Sequence, residues 1–350
     1  TSSFSERLGQ MSVVIYPPTL DWHWMKQRPQ QLMRRLAAAG HTVYFCNRTQ
    51  AARPVQTVEP DLHVVHDHER WLSEQWPAIR RSARGKIGVW CSLPFRVREA
   101  TRDYAPDWLV YDCADEMAEW LRYEKEAVAA ADAVVCSSAR LKERLARSYP
   151  DKRIELVRNG YDRAMNLHAG PPGAEADPAV SEPDKGKRRI GYIGAWAPWI
   201  DVPLVRELAR LPDAEVVAVG PEFGRKYGPT AGSVRFVGLK PHEELPGYIR
   251  SFSVCVIPFR VTPLTLAVNP VKAYEYLAAG KPVVSAALPE CGLMAPHVDI
   301  APDRPSFVQA VSRRLESPGD GEERRRFALA NSWERRGAAI AALIGELESR

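Results

Sequence analysis

Residues 189–220 read RIGYIGAWAPWIDVPLVRELARLPDAEVVAVG. Two short, β-branched apolar runs, RIGYIG and AEVVAVG, flank a helix-like stretch, VPLVRELARL. Strand, helix, strand in that order predicts a βαβ unit, whose strands must lie parallel because the helix carries the chain back across the sheet. The alternation continues with VRFVG, VCVIPF and KPVVSA, separated by HEELPGYIRSF and PVKAYEYLAAG. It also runs through the first half, as SVVIY from Ser12, HTVYFC from His41, LHVV from Leu62, KIGVWC from Lys86, DWLVYDC from Asp107, DAVVCS from Asp132 and IELV from Ile154. Between the two series, residues 169–189 (AGPPGAEADPAVSEPDKGKRR) are rich in Pro, Gly and charge and poor in apolar bulk, which reads as a linker.

The expected fold is therefore α/β: two Rossmann-like domains with parallel sheets facing across a cleft, over residues 12–168 and 190–330. Ligands are expected at the carboxyl ends of the strands, and residues 331–350 read as helical around Trp333.

Composition narrows the classes. The 350 residues are 45% hydrophobic and 26% charged, ordinary for a globular protein and unlike a disordered or fibrous chain. No apolar run approaches the roughly 20 residues of a membrane helix, and the polar opening TSSFSERLGQM lacks the apolar centre of a secretory signal. The expectation is a cytoplasmic protein. Cys46, Cys91, Cys113, Cys136, Cys255 and Cys291 stand apart, most of them in apolar runs, as reduced buried thiols do, and neither they nor the eight His make a zinc-binding spacing. No metal is expected. The net charge of +5 is concentrated: seven basic residues against one acid from Arg80 to Arg102, and seven against three from Arg140 to Arg158. These are either solvated helix faces or a basic surface for an anionic lipid or acceptor. No nucleic-acid-binding motif accompanies them, so nucleic acid is not an expected partner.

Neither half carries GxGxxG after its first strand, nor a GxxxxGK[ST], which argues against nicotinamide enzymes and P-loop NTPases. GYIGAW supplies one strand ending in Gly194, either a tight turn or a point of close backbone approach to phosphate. Residues 256–286, VIPFRVTPLTLAVNPVKAYEYLAAGKPVVSA, are more informative. Asn269 reads as an N-cap, Pro270 as the first helical residue and Gly280 as the stop, giving a helix over 270–279. Lys272 then lies in the first turn, where a cation is unfavourable without an anion, and Glu275 shares its face. The pair can meet a diphosphate and a ribose, or simply each other.

In the first half, the loop PPTLDWHWMKQRPQ sets Asp21, Trp22, His23, Trp24, Gln27 and Arg28 between strand and helix. Tryptophans can stack on sugar faces while Arg and Gln bind hydroxyls or phosphate; the other reading is a packed core. Asp112, Asp115 and Glu116 in VYDCADEMAEW end a strand. They cap a turn, or include a base: Asp115 nearest an acceptor hydroxyl, Asp112 supporting it, and His23 as rival.

IPFRVTPLTLAVNPVKAYEYLAAGKPVV, with WHWMKQRPQQLMRRLAAAGHTVYF, LVYDCADE, ADAVVCSS, RNGYD and RIGYIGAW, resembles the GT-B glycosyltransferases, closest to a family-4-like bacterial group that includes the teichuronic acid biosynthesis (TuaH-type) enzymes. The resemblance implies a nucleotide-sugar donor, UDP-linked, in the second domain, a glycan or lipid-linked acceptor in the first, and a C-terminal helix, residues 331–350, that crosses back to the first domain. It implies further that Glu275 binds ribose, that Lys272 and Arg260 bind diphosphate, and that Thr265 and Asn269 lie near the donor. Gly194 would let backbone approach phosphate, and Val237, Gly238 and Leu239 would border the base. Two departures stand out: Ala267 occupies the place of an earlier glutamate, and Ala195 and Trp196 replace the usual basic residue at the glycine turn. A nucleotide-sugar epimerase and a silent sugar-nucleotide-binding protein are the competing readings.

Overall fold

The computed structural model describes residues 11–170, 186–226 and 234–350. The chain divides into two units, residues 1–158 with 333–350, and residues 159–332.

In the first unit the described strands form one sheet in the order β3-β4-β2-β1-β5-β6-β7-β8. They are β1 (Val13–Tyr16), β2 (Thr42–Cys46), β3 (Gln56–Glu59), β4 (Leu62–Val65), β5 (Ile87–Cys91), β6 (Trp108–Cys113), β7 (Ala133–Cys136) and β8 (Ile154–Leu156). Every pairing is parallel except β3 with β4. The central strands β1, β5, β6 and β7 are buried along their whole length, as strands covered on both faces must be. β3 is the strand that the sequence pattern does not announce, because QTVE is polar and half exposed at a sheet edge.

In the second unit the order is β11-β10-β9-β12-β13-β14, wholly parallel. These are β9 (Arg188–Ile193), β10 (Ala214–Val219), β11 (Val234–Gly238), β12 (Val254–Ile257), β13 (Val283–Ala286) and β14 (Val298–Ala301). Sequence pattern missed β14, whose VDIA carries an acid and a half-exposed edge.

The unit boundaries differ from the expected ones. The second unit takes over at Asn159, because Tyr161, Met165 and Leu167 pack in its core with Ile190 and Tyr192. Most of the expected linker lies outside the described residues, and Arg188 and Arg189 at its end already belong to β9. The expected terminal helix runs over Trp333–Glu348, and a separate helix, Gly321–Ala330, precedes it, the break falling at Asn331 and Ser332 where the chain leaves the second unit. The last helix buries Trp333, Ile340, Leu343, Ile344 and Leu347 in the core of the first unit beside Leu32, Met33 and Leu36. All six cysteines are buried and free, and burial pushes the Cys113 and Cys291 thiols up to about 12, so they are inert. Among the described residues no helix is long and apolar enough to cross a membrane.

Candidate active site

The second unit gathers its functional side chains where β9, β10 and β12 end. β9 stops at Gly194, whose φ of +142° lies in the region that side chains resist. β10 stops at Gly220, φ +151°, where a Cβ would lie 2.0 Å from the carbonyl oxygen of Gly194. The two backbones can therefore meet only because residue 220 is glycine. Gly194 N–H donates to the Val219 carbonyl at 2.9 Å and Gly220 N–H to the Gly238 carbonyl at 2.9 Å, which locks three adjacent strand ends together. Gly238 closes β11, with open space where its Cβ would be, and Leu239 after it is exposed.

Above this floor stands Lys272. Its helix runs over Val271–Ala278, and the residue at the N-cap is Pro270, not Asn269. Asn269 is 1% exposed and fully engaged elsewhere: its Oδ1 accepts from the Asn159 backbone N–H at 2.9 Å, its carbonyl accepts from Asn159 Nδ2 at 2.6 Å, and its Nδ2 donates to Glu290 at 2.9 Å and Tyr274 at 3.1 Å. The expected cap is thus a buried anchor that fixes where the helix begins. At the other end, Arg324 donates to the Gly280 carbonyl at 3.2 Å, a cation where the helix dipole favours one.

Lys272 is half-buried, and its ammonium is 5.4 Å from the Tyr192 ring and 5.0 Å from the Phe259 ring. Among the described residues it makes no ion pair, Glu275 included. Loss of hydration lowers its pKa to about 8, opposed by the nearby Glu275 and Cys291. Glu275 is buried. Arg260 is exposed, and its guanidinium too makes no ion pair among the described residues. Thr265 is 1% exposed and its hydroxyl is held inside its own turn, donating to the Arg260 carbonyl at 2.5 Å and accepting from Thr262 N–H at 2.9 Å. It shapes that turn instead of presenting a free group. Ala267 is completely buried. A bound anion there would find the Lys272 ammonium, the first-turn amides of its helix and a floor without side chains.

The first unit's loop and strand ends give a mixed outcome. Arg28, expected among the acceptor ligands, is only 5% exposed: its Nη2 and Nε reach Asp112 at 2.8 and 3.0 Å while Nη1 donates to the Val157 carbonyl at 2.7 Å. Asp112 is completely buried, so this is an internal ion pair and not an acceptor ligand beside a supporting acid. Asp21 ties its loop to the one after β2, accepting from Thr49 N–H at 2.7 Å. Trp22 is half-buried, edge-on to Phe45 with centroids 5.1 Å apart, whereas Trp24, His23 and Gln27 are exposed. Asp115 also opens to solvent, yet protein crowds it enough that loss of hydration raises its carboxyl above the ordinary range, with Asp112 adding and Arg28 opposing. Glu116 pairs with Arg144 at 3.0 Å.

Many of the clustered arginines are also paired: Arg96 with Glu99 at 2.9 Å, Arg98 with Glu126 at 2.6 Å, Arg102 with Asp103 at 2.7 Å, Arg144 with Glu124 at 2.6 Å and Arg153 with Glu155 at 3.0 Å. The charge of these five is met within the unit.

Sequence reasoning passed over Gly220, Tyr192 and Phe259. Three successive strands ending in glycine was the available signal for the first; the aromatic neighbours of Lys272 come from other strands and leave no local trace.

Two parallel α/β units of this kind have the GT-B fold. Residues 188–317 match the family described as Glycosyl transferases group 1. The chain is 28% identical over 315 residues to TuaH of Bacillus subtilis strain 168, named for a glycosyltransferase of teichuronic acid biosynthesis, spanning 78% of this chain and 75% of that protein. Among solved structures, it superposes on the sucrose-phosphate synthase of Thermosynechococcus elongatus with a TM-score of 0.74 at 18% identity, over 96% of this chain and 99% of the other. It also superposes on Anabaena HepE in complex with UDP and glucose with a TM-score of 0.69 at 13% identity, over 96% and 100%. At those identities the likeness is one of fold.

Proposed function

We propose that the protein transfers a sugar from a UDP-linked donor to a hydroxyl of a glycan or lipid-linked acceptor in the synthesis of a cell-surface polysaccharide, on the cytoplasmic side. The observation that carries the donor half is Lys272, a half-buried cation set beside Gly194 that makes no ion pair among the described residues and feels Glu275 only at a distance. Its burial is unfavourable unless an anion joins it. Support for uridine comes from HepE, solved with UDP and glucose, and for the acceptor class from the name of TuaH.

In this reading the acceptor oxygen bonds to the anomeric carbon as the bond from that carbon to the phosphate oxygen breaks. UDP departs with the electron pair, and Lys272, Arg260 and the helix amides stabilise the growing negative charge. Glu275 orients the ribose. The acceptor proton goes to Asp115 if configuration inverts, and to the departing phosphate if it is retained. These cations do the work that a divalent metal does elsewhere, so turnover survives EDTA. Peripheral contact with an anionic membrane belongs to the same reading; binding to anionic vesicles at low salt that falls steeply as salt rises supports it, and no binding removes it.

The test is product analysis with a panel of UDP-sugars and a lipid-linked glycan fraction. Transfer with release of UDP is expected. Epimerised nucleotide sugar, or binding without turnover, would replace the proposal with one of its competitors.

A further inference from the structure

Beside Lys272, three aromatic rings line the same strand ends. The Phe259 ring carries the ammonium at 5.0 Å, Trp199 lies 6.5 Å from Phe259 at 66°, and Phe223 lies 6.0 Å from Trp199 at 40°. Phe259 follows β12, Trp199 follows β9 and Phe223 follows β10, so the rings come from three neighbouring strands. Phe223 is 58% exposed and Trp199 is half-buried. A single exposed aromatic needs no explanation, but here exposed Phe223 continues through half-buried Trp199 to buried Phe259 at the proposed ligand-binding edge.

The segments that bear the rings are pinned by backbone hydrogen bonds outside the regular sheet. Trp196 N–H donates to the Pro221 carbonyl at 2.8 Å, Phe223 N–H to the Trp196 carbonyl at 2.9 Å and Arg260 N–H to the Trp199 carbonyl at 2.7 Å. Ile200 and Phe259 form a further bridge. The rings are therefore presented on fixed backbone, so little ordering is left for a ligand to impose. The chain also places Ala195 and Trp196 at the turn after Gly194, so the wall there is apolar instead of cationic.

We propose that Phe223 and Trp199, backed by Phe259, form the wall against which the transferred sugar ring of the donor stacks. The inference rests on the donor site proposed above and names what holds the part of the donor that reacts. If Lys272 takes the diphosphate, the sugar is one bond away from it, whereas the base lies beyond a whole ribose. Phe259 is 5.0 Å from the ammonium, so the ring surface that starts there and continues through Trp199 to Phe223 is the one that leads away from the phosphate seat. The apolar C–H face of a pyranose fits a flat aromatic surface, while its hydroxyl edge remains free for hydrogen bonds.

The test is titration of wild type, Phe223→Ala, Phe223→Leu and Trp199→Ala with UDP and with UDP-glucose, UDP-galactose and UDP-N-acetylglucosamine, with thermal melting of each variant as a check on folding. Phe223 is exposed, so its variants keep the fold even if Trp199→Ala does not. For the sugar that the wild type binds best, Phe223→Ala is expected to weaken UDP-sugar binding about five- to tenfold and to leave UDP within twofold, with Phe223→Leu between. Equal weakening of UDP and UDP-sugar would mean that the rings meet the base, and no change in either would mean that they meet nothing; both outcomes overturn the wall alone. A wild type that binds no UDP and no UDP-sugar overturns the donor site and the wall together.

Discussion

The ammonium of Lys272 stands 3.2 Å from the point where a Cβ on Gly194 would lie. A strand-end glycine and a helix first-turn lysine are thereby interlocked, and the space between them belongs to neither side chain. Gly194→Ala would put a methyl there, at a φ of +142° that alanine resists, and 2.9 Å from the Tyr192 hydroxyl. The expected result is a stability loss of roughly 1–3 kcal/mol in denaturant titration and at least tenfold weaker UDP binding by calorimetry. A folded variant with unchanged UDP affinity would detach Gly194 from the donor.

Burial lowers the Lys272 pKa from 10.5 to about 8, which fixes a pH dependence. Between those values the unfolded chain holds a proton that the folded chain has lost, so stability contributed at this site rises with pH through that window; below about 8 both states are charged and the burial penalty is fully felt. The phosphates of UDP have finished ionising by pH 7, so affinity should fall as pH passes 8 and the lysine goes neutral. Titration at pH 7, 8 and 9 is expected to show that decline in wild type and a flat, weaker affinity in Lys272→Met. The same decline in Lys272→Met would assign it to another group.

The alternation of apolar strands with helices was legible because each element is short, apolar and locally punctuated, and the helix around Lys272 was found within a residue or so at each end. What escaped depended on residues distant in sequence. Asn269 looks like a cap beside Pro270, but its side chain is taken by Asn159 and Glu290, far along the chain. Arg28 looks like a surface arginine in a loop until Asp112 closes on it from 84 residues away. Burial and ion pairing are properties of the folded neighbourhood, and spacing within a window cannot report them. Lys272 is the informative case: its place in the first turn was unfavourable on the sequence alone, and the structure leaves it there without an ion pair.

Arg28 and Asp112 supply a stability prediction separate from chemistry. Removing either partner leaves a buried charge unmet, so Arg28→Met and Asp112→Leu should each cost about 3–5 kcal/mol, while the double variant recovers much of that. Denaturant unfolding of the double variant against wild type is the decisive comparison. A double variant as unstable as the sum of the singles would mean that the two residues act independently.

Asp115 carries the acceptor side of the proposal. With saturating donor, Asp115→Asn should lose on the order of 10² to 10⁴ in single-turnover rate with UDP affinity intact, if the product anomer shows inversion. A near-normal rate, or retained configuration, would withdraw Asp115 as the base.

The donor seat in the second unit is tested most directly by calorimetric titration of UDP into wild type and Lys272→Ala, with melting curves confirming that both are folded. UDP is expected to bind wild type and to bind Lys272→Ala at least tenfold more weakly, because the variant keeps the fold but no longer offers the phosphates a charge-assisted hydrogen bond. Equal UDP affinity in the two folded proteins would contradict it.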